Sequence, residues 1–96
     1  MHMSLRGVYK SAKLVRVALD IEGDRIKSIR ITGDFFMYPE EAIRRLEKCL
    51  VGAKLDEQEL LRLVREFFER EKVIVPLMQP SDFVKAIMRA LEKGDL

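Results

Sequence analysis

The sequence has few of the residues from which active sites are most often built. It contains one histidine, His2, and one cysteine, Cys49, in 96 residues. A Ser/His or Cys/His nucleophilic pair would have to use a residue at the start of the chain, so we expect no catalytic residue. A single cysteine excludes an internal disulfide, which is typical of a reducing compartment. With no secretory signal at its start, the chain is predicted to be cytoplasmic.

Phosphate loops, metal-binding clusters and membrane spans are also missing from the pattern. The five glycines are scattered singly, so no glycine-rich loop is present to cradle a phosphate. The acidic residues lie mostly on predicted helix exteriors beside basic ones, as in the i,i+4 pair Glu66 and Arg70, and no metal site is expected. No apolar run approaches the roughly 18 residues needed to cross a bilayer, so we expect no membrane partner.

The charge is small but unevenly distributed. The net charge is +2. Residues 1–33 carry seven basic and three acidic residues, whereas the rest of the chain is net acidic. Such asymmetry is typical of a surface that faces an anion. A nucleic-acid-binding module would be more basic and would interleave aromatic residues with Arg or Lys on one sheet face. The predicted strands have no aromatic residue between Lys13 and Thr32, so no nucleic-acid partner is expected.

The clearest secondary-structure signal is a β-hairpin. Apolar residues at alternate positions predict a half-buried strand over residues 13–21, and a second run follows over 26–32. A three-residue loop, Gly23–Arg25, pairs Leu19 with Ile29 and keeps the apolar side chains on one face. The polar face then carries Arg16, Ala18, Asp20, Ser28 and Arg30.

Three helices are predicted after the hairpin, and the strands-then-helices order predicts an α+β fold of two layers. Its antiparallel sheet has two main strands plus a short edge strand over residues 7–10. The whole chain, 1–96, forms one domain, with residues 1–6 flexible or partly a cloning remnant. The first helix begins at Pro39 and is stopped by Gly52. Asp56 caps a second helix that reaches about Arg70, and Ser81 caps a third over Asp82 to about Lys93. Val73–Met78 is an extended edge segment or packed loop.

The connection between hairpin and first helix is unusually apolar. After Gly33 and Asp34 come four bulky residues, Phe35–Tyr38, where an ordinary connection would be polar. We expect one phenylalanine ring to fill the core, and the rest to be either a partner-binding patch or plain surface. Asp34 either caps a backbone group or contacts a partner, and the cap is favoured.

Three segments carry a family resemblance. Lys13–Val17, Ile29–Phe36 and Pro39–Ile43 resemble the C-terminal accessory domain of lipoate–protein ligases, which in some archaea and bacteria is a separate small subunit. The sharpest match is Thr32-Gly33-Asp34-Phe35-Phe36 followed by Pro39, and the helix start at Pro80–Phe83 is also similar. The likeness covers most of residues 8–93.

The resemblance implies a fold similar to the sulfur-acceptor and iron–sulfur scaffold proteins, and an accessory role without an active site. A large catalytic subunit would hold lipoate, ATP and magnesium, while this chain would bind no cofactor. That subunit forms lipoyl-adenylate, for which the small subunit is needed. It then passes lipoyl to a lysine on a carrier domain of a 2-oxoacid dehydrogenase or on the glycine cleavage H protein.

Two groups of residues are therefore candidates for function. Partner binding is predicted for Gly33, Asp34, Phe35 and Phe36, and an anion-facing role for Lys13, Arg16 and Arg30. The competing interpretation of the basic residues is a solvated sheet face.

The main rival function on fold grounds is a sulfur-acceptor or iron–sulfur scaffold protein. It requires an exposed reactive cysteine or a cysteine cluster. Cys49 lies in the middle of a predicted helix, where a lone thiol usually packs as a small hydrophobe. A stand-alone enzyme is the weakest alternative, because no nucleophile–base pair can be assembled.

Overall fold

The computed structural model of the chain describes residues 2–92. Three strands form one antiparallel sheet in the order β1-β2-β3, two helices pack against one of its faces, and a further helix packs on those two. The predicted two-layer α+β class is confirmed. The predicted end of the third helix at Lys93 lies outside the described residues. The elements are β1 (His2–Lys10), β2 (Leu14–Glu22), β3 (Arg25–Gly33), α1 (Ala42–Leu50), α2 (Glu57–Glu71) and α3 (Pro80–Glu92).

The first strand is longer than predicted. Instead of a short edge strand over residues 7–10, β1 has nine residues and pairs with β2 along its whole length, from His2 opposite Glu22 to Lys10 opposite Leu14. The expectation of a flexible start is therefore wrong for residues 2–6. The physical reason is burial, because Leu5 and Gly7 lie on the inner face and tie this part of the chain to the core.

The register of the β2–β3 hairpin is as predicted, but its turn is not. Leu19 lies opposite Ile29. The connection is a two-residue turn, because Glu22 still pairs with Arg25, and Gly23 supplies the positive φ of 62° that such turns favour. The odd residue is absorbed in β3 by a shift of register between the pairs of Asp20 and Ile21. Such a bulge shifts the pairing by one residue, as a longer loop would.

Two helix starts also differ from prediction. The first helix begins at Ala42 rather than Pro39, because Pro39 lies in a tight turn whose carbonyl accepts the Ala42 N–H at 3.0 Å. The third helix begins at Pro80, so Ser81 is not its cap. The Asp82 carboxylate instead accepts the N–H of Gln79, at 2.8 Å. The predicted cap of the second helix is confirmed, since the Asp56 side chain accepts the Glu59 N–H.

The core lies between the sheet and the helices. The helix α3 packs against β1 and β2, α1 packs against β3, and α2 contacts both other helices. At Gly7 the strand and α3 approach so closely that a Cβ would collide with the backbone of Ala86 and Ala90. The opposite face of the sheet is not covered by any described element. Fully buried side chains include Val15, Ile26, Leu46, Leu60, Phe67, Phe83 and Ile87.

The outer edge of β3 is closed by contacts from α1 and the loop after it. The buried Glu47 carboxylate accepts the Ile31 N–H at 2.7 Å and is also held by Arg44 at 2.9 Å. Farther along, the Ile26 N–H donates to the Ala53 carbonyl at 3.0 Å. Together these contacts satisfy backbone groups that an edge strand leaves open, and they fix α1 against the sheet.

Candidate docking surfaces

Three connections meet at one end of the sheet. The β1–β2 loop touches the α2–α3 connection through Ser11 and Met78. The segment after β3 meets the same connection through Tyr38 and Ile74, which exchange two backbone hydrogen bonds of 2.9 Å each. This end of the molecule is therefore built from segments distant in sequence.

Asp34 ties the segment after β3 to the start of β2. Its carboxylate accepts the Leu14 N–H at 2.6 Å, and its own N–H donates to the Leu14 carbonyl at 3.2 Å. Asp34 therefore caps a backbone group, as the sequence favoured. Gly33 is required just before it, because a Cβ there would collide with the Leu14 carbonyl and lie 2.8 Å from the Phe35 ring.

The two neighbouring phenylalanines have different environments. Phe35 is half-buried and meets Phe83 edge-to-face, with ring centroids 5.1 Å apart. Phe36 is 65% exposed. The expectation that one ring fills the core is met by Phe35, and Asp34 and Gly33 hold the backbone that turns Phe36 outward.

An apolar surface, which we call the loop patch, consists of Phe36, Tyr38 and Ile74. These side chains are 65%, 50% and 63% exposed. Tyr38 and Ile74 are directly opposed in an antiparallel bridge, so their side chains project to the same side. Phe36 and Tyr38 are exposed on either side of Met37, which is buried. A group of exposed apolar side chains of this kind is typical of a protein-binding site.

Leu77 extends the apolar character of the same connection. It is the most exposed of the large apolar residues in the described part of the chain, at 76%, and its φ is 68°. The left-handed conformation costs a residue with a branched side chain about 1 kcal/mol or more. Strain combined with exposure is unusual for a residue that serves only the fold, and it supports a binding role for this end.

The uncovered sheet face carries a cluster of three arginines, Arg6, Arg16 and Arg30, which we call the arginine face. Arg6 and Arg30 lie on either side of Ala18 in the strand register, and Arg16 precedes Ala18 by two residues on the same face. The side chains border a groove that is also lined by Val8 and Thr32.

The arginine face is poorly neutralised. Within residues 2–92, Arg6 and Arg16 form no ion pair. The Arg30 Nε lies 3.9 Å from the Glu47 carboxylate, which is already paired with Arg44. By contrast Arg62 on α2 is bound by Glu59 and Glu66 at 2.6 and 3.0 Å, and these two carboxylates raise the pKa of its guanidinium.

The predicted anion-facing residues are only partly brought together. Arg16 and Arg30 share the arginine face, whereas Lys13 lies half-buried in the β1–β2 loop, outside the groove. The sequence reasoning missed Arg6 because β1 was predicted to begin at Gly7. The missed signal is the alternation of Met3, Leu5 and Tyr9, which glycine interrupts.

The far end of the same face is acidic. The Asp20 carboxylate accepts hydrogen bonds from Ser4 at 2.6 Å and Ser28 at 3.2 Å, one from each neighbouring strand. The Ser4 bond is the main cause, and the Ser28 bond the second, of a pKa of Asp20 below its ordinary value. The open face thus carries a carboxylate in addition to its arginines, with the His2 Nε2 3.9 Å from Asp20.

Cys49 is half-buried and packs against the core, which does not suit a sulfur carrier. Among residues 2–92, no three His, Cys, Asp or Glu side chains are grouped so that they could hold a metal ion.

In the described part of the chain, no helix is both long and apolar enough to cross a membrane.

Comparisons with known proteins agree on one family. Residues 11–87 match the family model described as bacterial lipoate protein ligase C-terminus. The chain is 43% identical over 88 residues to lipoate-protein ligase A subunit 2 of Thermoplasma acidophilum, covering 91% of this chain and 90% of that protein. A solved structure from the same organism, described as an archaeal lipoylation system with a bi-partite lipoate protein ligase and its E2 lipoyl domain, superposes with a TM-score of 0.82. It is 42% identical and covers 91% of this chain and 97% of the other.

Proposed function

Since this chain belongs to the lipoate protein ligase C-terminal family, we propose that it is the accessory subunit of a two-chain lipoate–protein ligase. The observation that carries the proposal is the 43% identity to a ligase subunit 2 over nine-tenths of both chains. The described residues support a binding role, because they offer exposed apolar and charged surfaces.

The proposed division of labour follows from the chemistry. In this proposal the catalytic partner holds lipoate, ATP and magnesium. Adenylation gathers phosphate charge and must exclude water, so a second body that closes or orders the site contributes to that step. This chain is accordingly needed for lipoyl-adenylate formation and is inactive alone.

The loop patch is the proposed contact with the catalytic subunit. Gly33, Asp34 and Phe35 build the loop through the contacts given above, and Phe36 projects from it. Of the four docking residues predicted from the sequence, Gly33, Asp34 and Phe35 thus shape the surface, and Phe36 forms part of it. A lasting subunit interface is more apolar than a transient one, which fits Phe36, Tyr38 and Ile74.

The end product of the assembled ligase is a lipoyl group on a lysine of a carrier domain. The E2 lipoyl domain studied with the Thermoplasma ligase supports a 2-oxoacid dehydrogenase carrier, and the glycine cleavage H protein is a second acceptor of the same kind. We place the complex in the cytoplasm.

The proposal is tested by measuring lipoyl-adenylate formation from lipoate and ATP by the catalytic subunit of the same organism. We expect fast adenylation only when this chain is added in stoichiometric amount. Transfer from supplied lipoyl-adenylate serves as the control that the catalytic subunit is folded. Equal adenylation rates with and without the chain would refute the accessory role.

A further inference from the structure

We propose that the arginine face is the docking surface for the lipoyl-accepting domain, which it recognises through acidic side chains on that domain. This inference rests on the proposed function and assigns a partner to a surface other than the loop patch. Its basis is the juxtaposition of Arg6, Arg16 and Arg30 around Ala18 on a sheet face that no described element covers.

Charge is the first argument. Three guanidinium groups are exposed on one face, and among the carboxylates of residues 2–92 the one within 4 Å of them is that of Glu47, 3.9 Å from Arg30. Exposed and unneutralised charges of one sign attract an oppositely charged surface and raise its rate of encounter. Arginine also forms forked hydrogen bonds with carboxylates. The complementary surface is therefore acidic.

Shape argues for a protein rather than a small anion. Sites for phosphate or nucleotide gather several backbone N–H groups at a helix N-terminus or in a concave loop. On this face the backbone N–H groups of β2 are engaged by its two neighbouring strands. The groove lies on a regular sheet face and its three charged side chains are exposed, as in a surface that meets another folded domain.

The character of the contact argues for a transiently bound partner rather than for a permanent subunit or a second copy. An acceptor domain must bind, react and leave, and salt-screened charge contacts allow fast exchange. Two copies of this chain that met with their arginine clusters facing each other would repel each other. The permanent partner has the loop patch, which is apolar.

Position links the two surfaces. Thr32 lies opposite Arg16 in the groove, and the chain then passes through Gly33 and Asp34 to Phe36 in the loop patch. An acceptor domain on the arginine face would therefore stand beside a catalytic subunit bound at the loop patch. This arrangement brings the acceptor lysine toward the subunit that makes lipoyl-adenylate.

The test uses the complete two-chain ligase with the triple variant Arg6→Gln, Arg16→Gln, Arg30→Gln. Lipoyl transfer is measured against the concentration of lipoyl domain. We expect the KM for the domain to rise about tenfold, with unchanged kcat, subunit assembly and adenylation. The Lys48→Gln, Lys54→Gln, Arg65→Gln variant removes three exposed charges elsewhere and is expected to leave the KM unchanged.

A charge-preserving variant separates recognition from folding. Arg6→Lys, Arg16→Lys, Arg30→Lys keeps the positive charge and is expected to recover most of the lost KM, while the wild-type KM rises with salt. The inference is overturned if the glutamine variant leaves the KM unchanged. It is also overturned if that variant loses adenylation or assembly while still folded, or if the face binds a single-stranded oligonucleotide as tightly as the domain.

The failure of the proposed function would look different from the failure of this inference. If adenylation does not need the chain, the accessory role itself is wrong. If adenylation needs the chain but the glutamine variant has a normal KM, only the arginine face has been misassigned.

Discussion

The loop patch and the arginine face are neighbours on the molecule but differ in every physical property that governs binding. The patch is apolar and is made by two loops that meet through the Tyr38–Ile74 bridge. The face is charged and is made by three regular strands. Burial of apolar area contributes about 25 cal/mol per Å² and is insensitive to moderate salt, whereas exposed charge contacts are weak and screened. One surface suits a lasting partner and the other a passing one.

The largest expected effect follows from removing two apolar side chains of the patch. Phe36→Ser with Ile74→Ser should weaken binding to the catalytic subunit about 100-fold, because central apolar contacts cost about 1–2 kcal/mol each when truncated. Calorimetric titration of the two subunits gives the Kd. Val51→Ser, at a residue that is 52% exposed outside the patch, is the matched control. Equal Kd values for both variants would remove the patch from the interface.

A comparison of the two adjacent phenylalanines separates a residue that supports the loop patch from a residue that forms it. Phe35→Ala should lower the free energy of unfolding by about 2 kcal/mol, since the half-buried ring loses its contact with Phe83. Phe36→Ala should change it by less than about 0.5 kcal/mol. Urea denaturation of both variants measures the difference. If both residues prove equally important to stability, Phe36 belongs to the fold rather than to the patch.

The role of Asp34 gives a smaller effect. Asp34→Ala leaves the Leu14 N–H without its acceptor and should destabilise the chain by about 1 kcal/mol. Asp34→Asn, which keeps a side-chain oxygen, should cost less. Both changes are read from urea denaturation beside subunit binding. An alanine variant that is as stable as the parent but binds the catalytic subunit poorly would show that Asp34 contacts the partner directly.

The smallest effect concerns the acidic end of the open face. Ser4→Ala with Ser28→Ala removes both hydrogen bonds that hold the pKa of Asp20 below its ordinary value, so that pKa should rise. Because the folded-state pKa is depressed, the stabilising contribution is present at neutral pH and is lost as the pH falls through the folded pKa. NMR titration of the carboxyl carbon measures the shift. An unchanged pKa would mean that the serines do not set it.

Local patterns predicted much of the fold. The alternation of apolar residues was sufficient for the register that pairs Leu19 with Ile29, because one face of the strand is buried. The strand β1 was largely missed because its pattern is interrupted at Gly7. That glycine is explained by the backbone of Ala86 and Ala90 pressing against it, a tertiary contact that no neighbouring residue signals.

The site was predictable in the same uneven way. The run of aromatic residues after Asp34 identified Phe36 without reference to the rest of the chain. Ile74 could not be found, because its place beside Tyr38 depends on a bridge between two connections distant in sequence. Arg6 lies beside the other arginines because β1 begins at His2, five residues before its predicted start. To predict which side chains share one surface across strands or loops, the strand register must be known. That register depends on which side chains are buried in the core.

The claim that two surfaces serve two partners is tested most directly by NMR of the isotope-labelled chain during stepwise assembly. Addition of the deuterated catalytic subunit should shift the backbone amides of Phe36, Tyr38 and Ile74 and leave the arginine side-chain Nε–H signals in place. Addition of the lipoyl domain to that complex should then shift the Nε–H signals of Arg6, Arg16 and Arg30. If the arginine signals move at the first step and remain unchanged at the second, the assignment of the two surfaces is contradicted.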